Sequence, residues 1–290
     1  MKWFADGIGM SVQREEIMGK ISKKETLLII GCEFLEAITS NDLSRLPLSS
    51  RIRVTENGKE VKLGAGAIWG APRRIPCRQT FVDPQTESVV FFGVVTNTST
   101  VHSGLPAIWW LYSARIRIEN AQIVEIEEII TDHIFAHYDK KPWEITPNAA
   151  YRCVLPEDER VSREEMMAIV ECYWNAVERS IDGYSLPFHP DAVRSECGTV
   201  TTDALNFPNS ARGDFIKASN AGWRWDVLNR RYPIVDVERG VVVSFAELRM
   251  TENTNPDFLP CIVAEAFKIE SGLIKDLNAM FYAGENQANW

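Results

Sequence analysis

The chain has 290 residues, a net charge of −9, and 45% hydrophobic and 24% charged residues. That length exceeds one average domain, and the apolar fraction supports sizeable cores rather than disorder. The acidic balance argues against a binder of phosphate backbones, and no apolar run approaches the roughly 20 residues of a membrane helix.

The opening MKWFADGIGMSVQREE has no continuous apolar stretch of the kind a secretory signal needs. The six cysteines (Cys32, Cys77, Cys153, Cys172, Cys197 and Cys261) show neither a CxxC pair nor a compact framework, so free thiols are expected. A cytoplasmic protein with no nucleic-acid or membrane partner is therefore expected.

Sliding the sequence by 140 residues lays Ser22–Gly58 on Ser162–Gly198 without a gap, with ten identities. Among them are Cys32/Cys172, Leu46/Leu186, Pro47/Pro187, Glu56/Glu196 and Gly58/Gly198. At an offset of 151, Arg117–Ile126 then falls on Lys268–Leu277, so an insertion separates the two matches. Order and period both survive, which points to a duplicated unit.

Each copy opens on an S-x-x-E capping box, Ser22/Glu25 and Ser162/Glu165, which satisfies free amide donors at a helix start. Apolar residues follow at helical spacing: Leu27, Ile30, Phe34 and Ile38 in copy one, and Met166, Ile169, Val170, Tyr173 and Val177 in copy two. Each helix gives out at a polar stretch and reaches a Leu-Pro pair, where proline disfavours helix in the preceding residue. The second half of each copy reads as an antiparallel meander. In copy one its strands are Ser88–Thr96, Ala107–Glu119 and Gln122–Asp132. In copy two they are Gly240–Met250, Pro260–Glu270 and Leu273–Phe281. The layout is α+β, with an arm at 1–20, copy one at 21–138, a linker at 139–160, copy two at 161–285 and a tail at 286–290.

A capped amphipathic helix, a Leu-Pro descent and a curled meander resemble the nuclear-transport-factor-2-like (NTF2-like, SnoaL-like) superfamily. Copy two also resembles a group of fungal and bacterial members of that superfamily, over DGYSLPFHPDAVRSECGTVTT (Asp182–Thr202) and NRRYPIVDVERGVVVSF (Asn229–Phe245). The superfamily resemblance implies two fused cone-shaped α+β barrels, each with an internal pocket. It also implies cofactor-free isomerisation, dehydration or elimination on polyketide, steroid or aromatic molecules, or else a non-catalytic binding or dimerising module. Within the superfamily the sphingomonad diarylpropane lyases, which act on lignin-derived dimers, are a tandem-like possibility. Exposed sheet faces pair in this superfamily, so a homo-oligomer is expected. No GxGxxG, P-loop or HExxH accompanies the resemblance, so neither a cofactor nor a metal is expected.

Strand alternation suggests which side chains enter a pocket. Val241, Val243, Phe245 and Glu247 share one strand face, and Val263, Glu265 and Phe267 share one face of the next strand. Glu247 and Glu265 would then stand in the second cone where copy one has Thr96 and Ala114. Two carboxyls in an apolar cavity split their affinities for protons, one serving as acid and one as base. The alternative is a structural ion pair for each with Arg230, Arg231 or Arg249. Arg231 either clamps a substrate oxygen or pins a turn with Asp236. His189, beside Asp191 at the implied rim, and His102, in a Thr/Ser/Gly-rich loop, are further acid–base candidates. Trp223, Tyr173 and Tyr112 are candidates to line a site for a flat substrate, packing being the alternative role. Copy one also keeps Arg115 and the pair His133/His137, whose spacing suits a metal only on a helix.

Overall fold

The computed structural model describes residues 21–97, 108–131, 144–179, 186–202, 225–250 and 259–284. Copy one runs α1 (Lys23–Ser40), β1 (Leu48–Glu56), β2 (Lys59–Glu60), β3 (Arg73–Asp83), β4 (Ser88–Asn97), β5 (Trp109–Glu119) and β6 (Gln122–Thr131). Copy two repeats the order with α2 (Arg163–Arg179), β7 (Phe188–Glu196), β8 (Thr199–Thr202), β9 (Trp225–Asp236), β10 (Val241–Met250), β11 (Cys261–Glu270) and β12 (Leu273–Ala283).

The sheets have strand orders β2-β1-β6-β5-β4-β3 and β8-β7-β12-β11-β10-β9, the same topology twice. This is the expected α+β arrangement in two like copies, with two corrections. Both sheets are open, with edges at β2 and β3 in one and at β8 and β9 in the other, so neither closes into a barrel. Nor are they pure meanders, because β1 runs parallel to β6 and β7 runs parallel to β12.

Local chemistry explains why the two copies fold alike. Ser22 and Glu25 form the reciprocal capping box, and Ser162 Oγ accepts from the Glu165 amide at 3.2 Å. Helix α1 ends at Asn41, a left-handed cap with φ 55°. After each Leu-Pro pair the proline carbonyl accepts from the last strand: Ile123 N to Pro47 O and Ile274 N to Pro187 O, each at 2.7 Å. The next hairpins turn on Asn57-Gly58 and Cys197-Gly198, all four at positive φ, as a tight two-residue turn requires. Pro76 and Pro233 fall on the edge strands β3 and β9, where a missing donor is tolerated, and the ladder shifts register beside each.

Each helix covers one sheet face. Leu27, Ile30, Phe34 and Ile38 pack with Val89, Phe91, Tyr112, Ala114 and Ile126 in copy one. Met166, Val170, Tyr173 and Trp174 pack with Val242, Ala246, Val263 and Phe267 in copy two. The opposite faces meet each other. Val90, Phe92, Val94 and Leu111 of copy one join Val241, Val243, Phe245 and Ile262 of copy two in a third buried cluster. The β10 residues expected to face a pocket, Val241, Val243 and Phe245, therefore form the seam between the copies.

Polar contacts fix that seam. Asp83 Oδ2 accepts from the Val235 amide at 2.9 Å and pairs with Arg163 at 2.7 Å. The mirrored Asp236 lies 3.7 Å from Lys24. The described part of the linker is a wedge in the same seam. Tyr151 is buried there and donates to Ala266 O at 2.9 Å, while Asn148 donates to Asp276 at 2.9 Å.

Candidate active site

On the helix-covered face of copy two one carboxyl stands among apolar walls. Strand β11 aims Glu265 at helix α2, where Tyr173 donates to its Oε1 at 3.0 Å. Tyr173 packs edge-on to Phe267, Phe188 and Trp174, with centroids 5.0, 6.4 and 5.1 Å away. The Trp174 indole donates to Ser244 Oγ at 2.8 Å. Burial drives the Glu265 carboxyl up to about 7. The Arg194 charge and the Tyr173 hydrogen bond oppose that rise, and the nearby Glu196 adds to it. Burial likewise holds the Tyr173 phenol well above its ordinary range, so it remains a neutral donor. Among the described residues, Tyr173 donates a side-chain hydrogen bond to Glu265, which is itself buried.

Copy one carries a matching carboxyl. Glu128 on β6 accepts from Tyr112 at 2.8 Å on Oε1 and from the Trp69 indole at 3.3 Å on Oε2. Burial raises it too to about 7, with Glu56 adding to the rise. Both its oxygens are engaged by side chains.

The two carboxyls are related by an exchange across one rung of the sheet. In copy one Glu128 sits opposite Ala114. In copy two the equivalent rung pairs Ala279 with Glu265. The acid has moved to the neighbouring strand while its place under the helix is kept. Its phenol has moved from β5, as Tyr112, to the helix, as Tyr173. The second carboxylates, Glu56 and Glu196, keep the same repeat position.

The expected partnership of Glu247 with Glu265 does not form. Register pairs Glu265 with Ser244 and Glu247 with Ile262, so the two glutamates lie on opposite faces of one sheet. Alternation fixes which residues of one strand share a face, but only register relates neighbouring strands. Glu247 is fully buried on the seam side, where Arg249 Nε lies 2.5 Å away and Asn229 donates at 3.3 Å. That is the ion-pair alternative.

Arg231 faces the seam as well. It grips Glu127 of copy one with two hydrogen bonds of 2.8 and 2.6 Å and lies 5.5 Å over the Phe245 ring. Arg115 holds the same Glu127 from the other side at 2.9 Å. Arg231 is thus a clamp between the copies and not part of the Glu265 site. His189 lies on the far side of β7 from buried Phe188, with Nδ1 3.0 Å from Lys275 Nζ, and does not meet Glu265. His102, Trp223, His133 and His137 lie outside the described residues.

Glu128, Glu56, Arg194 and Glu196 are the site-side residues that reading the sequence overlooked. One signal was available: Glu56/Glu196 is among the ten repeat identities, where it reads as part of a turn.

The model of a family described as a domain of unknown function (DUF8021) matches residues 21–130 and 159–281. The chain belongs to that family. Comparison with curated proteins gives no match. Solved structures overlap the chain over less than half its length. A protein of unknown function with a cystatin-like fold from Methylobium petroleophilum PM1 is 20% identical, covering 45% of this chain and 82% of its own, with a TM-score of 0.33. An LEH-like epoxide hydrolase from M. tuberculosis is 14% identical, covering 41% and 84%, with a TM-score of 0.32. AusH from Aspergillus nidulans is 14% identical, covering 44% and 90%, with a TM-score of 0.31. Among the described residues no helix is long and apolar enough to cross a membrane.

Proposed function

We propose that this DUF8021 protein is a cofactor-independent acid–base enzyme, a lyase or isomerase, acting in copy two on a small aromatic or polyketide-like molecule. The observation that supports this reading is the Glu265–Tyr173 pair: a carboxyl at about 7, held by a neutral phenol among apolar walls. A group whose proton affinity matches neutral pH can take a proton and return it in one catalytic cycle. Glu265 Oε2 would remove a proton from an activated carbon or hydroxyl of the substrate. The same carboxyl, now neutral, would then protonate the leaving oxygen or a second carbon. Tyr173 keeps Oε1 fixed during both transfers, so little reorganisation accompanies either step. Copy one is read as the pseudo-dimer partner, because both Glu128 oxygens are already engaged by Tyr112 and Trp69.

The test is solvent deuterium incorporation and product formation over a panel of enolisable aryl ketones, polyketide-like molecules and lignin-type diarylpropane dimers. Turnover on a panel member that falls about 100-fold or more in Glu265→Gln supports the assignment. Turnover unchanged in that variant overturns the site. Ligand binding without turnover or exchange in the wild type would make the protein a binding module instead.

A further inference from the structure

Under the helix, copy two differs from copy one along one line across the sheet. In copy one Glu56 stands beside Glu128 in the parallel pair of β1 and β6, and Glu128 stands beside Ala114. In copy two Glu196 stands beside Ala279 in the parallel pair of β7 and β12, and Ala279 stands beside Glu265. Two carboxyls on adjacent strands have become two carboxyls with a strand between them. With strands about 4.8 Å apart, their backbones separate from about 5 Å to about 10 Å. The side chain in the interval is the methyl of Ala279.

A charge has entered beside the same line. Arg194 holds the repeat position of Val54, which is buried in the apolar core of copy one. Arg194 and Glu196 are two apart on β7 and pair with each other. Their alternation continues from Ala192, which packs in the helix-side cluster with Ala279, so both face α2. The sister copy packs a valine there, so the scaffold does not require an arginine, and a guanidinium under a helix is costly. Arg194 acts on both members of the acid–base pair. Burial raises the Glu265 carboxyl most, and the Arg194 charge is the strongest influence against that rise. Burial and the Glu265 charge raise the Tyr173 phenol, and the charge and a side-chain hydrogen bond of Arg194 oppose them. The contacts run in one chain: Glu196 holds Arg194, Arg194 reaches the Tyr173 oxygen, and Tyr173 donates to Glu265.

That chain fits one kind of proton transfer. When a carboxylate removes a proton from carbon next to a carbonyl, the C–H electrons form a carbon–carbon double bond and the carbonyl π electrons settle on oxygen. Negative charge leaves Glu265 and appears on the substrate oxygen, and a fixed guanidinium beside both positions lowers the cost of the move. Returning the proton from Glu265 to carbon restores the carbonyl, with no other reactant consumed.

We propose that Arg194, held by Glu196, is the electrophilic group of the copy-two site and selects enolisable carbonyl compounds by binding their oxygen as it becomes an enolate. The assignment rests on the reading of Glu265 as the acid–base group, and it gives Arg194 the part first expected of Arg231.

Binding of 4-nitrophenol to the full chain at pH 7, followed by its visible absorption, tests this apart from turnover, because its phenolate is a flat oxyanion with no enolisable proton. The expected result is a bound probe enriched in phenolate, with affinity about tenfold or more weaker in Arg194→Met and retained in Glu265→Gln. Nitrobenzene, which forms no oxyanion, should bind wild type and Arg194→Met alike. A probe bound to wild type mainly as the neutral phenol overturns the proposal, whether or not the variant folds. So does the absence of binding, phenolate binding that Arg194→Met leaves unchanged, or equal weakening of both probes, the mark of a packing role. Turnover unchanged in Glu265→Gln would instead remove the acid–base reading of Glu265, and it is measured without the probe.

Discussion

Glu128 and Glu265 stand on the same rung in two copies of one sheet, yet on neighbouring strands. Each faces an alanine across its rung, Ala114 and Ala279 respectively, and each accepts a hydrogen bond from a buried tyrosine. A carboxyl under the helix has therefore been kept, or reached twice, through different strands. Burial gives both the same proton affinity of about 7. The second oxygen separates them. Trp69 donates to it in copy one, whereas in copy two the Arg194 charge acts on the carboxyl instead.

Stability should fall as pH rises, with the following sign. The folded carboxyl of Glu265 at about 7 lies above its ordinary value of 4.5, so folding favours its neutral form. Its contribution is fully present below about 4.5 and is lost as pH rises through about 7. The difference corresponds to about 3 kcal/mol. Urea unfolding at pH 5 and pH 8 should show Glu265→Gln to be more stable than wild type at pH 8 by a sizeable part of that amount. Near pH 5 the two should be close.

Tyr173→Phe removes the hydrogen bond that opposes the rise in Glu265. The ionisation midpoint of Glu265 should then move above about 7. An activity profile rising with pH would shift its midpoint the same way. A midpoint that stays still or moves down would show that the phenol does not hold the carboxyl.

The two copies should part energetically at Arg231. Removing it leaves Glu127, almost fully buried, with Arg115 as its remaining described ion-pair partner. Arg231→Ala should therefore cost about 2–4 kcal/mol in urea unfolding. A double-mutant cycle with Glu127→Gln should return a coupling above about 1 kcal/mol. Additive effects would mean that the clamp is incidental.

Much of this architecture was legible because it rests on local chemistry. The capping boxes, the Leu-Pro descents and the Asn57-Gly58 and Cys197-Gly198 turns are each set by neighbouring residues, and the repeat showed them twice. What depended on strand-to-strand register was not legible. Alternation grouped Val241, Val243, Phe245 and Glu247 correctly along one strand. It carried no information on whether Glu247 and Glu265 share a face, and the ladder puts them on opposite ones. Alternation likewise left Val241, Val243 and Phe245 assigned to a pocket when they form the seam. The parallel pairing of β1 with β6 was hidden too, because the strands are far apart in sequence and no turn announces them. Glu265 and Tyr173 were singled out individually. Their partnership needed the helix laid across the sheet. Glu128, in the run Glu125-Ile126-Glu127-Glu128, reads as part of a charged edge until the sheet buries it.

The most direct test is infrared difference spectroscopy of the protonated carboxyl band, wild type minus Glu265→Gln, followed from pH 4 to pH 9. Subtracting the variant removes Glu128 and every other carboxyl from the signal. The structure predicts a Glu265 band that persists through pH 6 and disappears with a midpoint near 7. A midpoint near the ordinary 4.5 would contradict it and leave the Glu265–Tyr173 pair as packing alone.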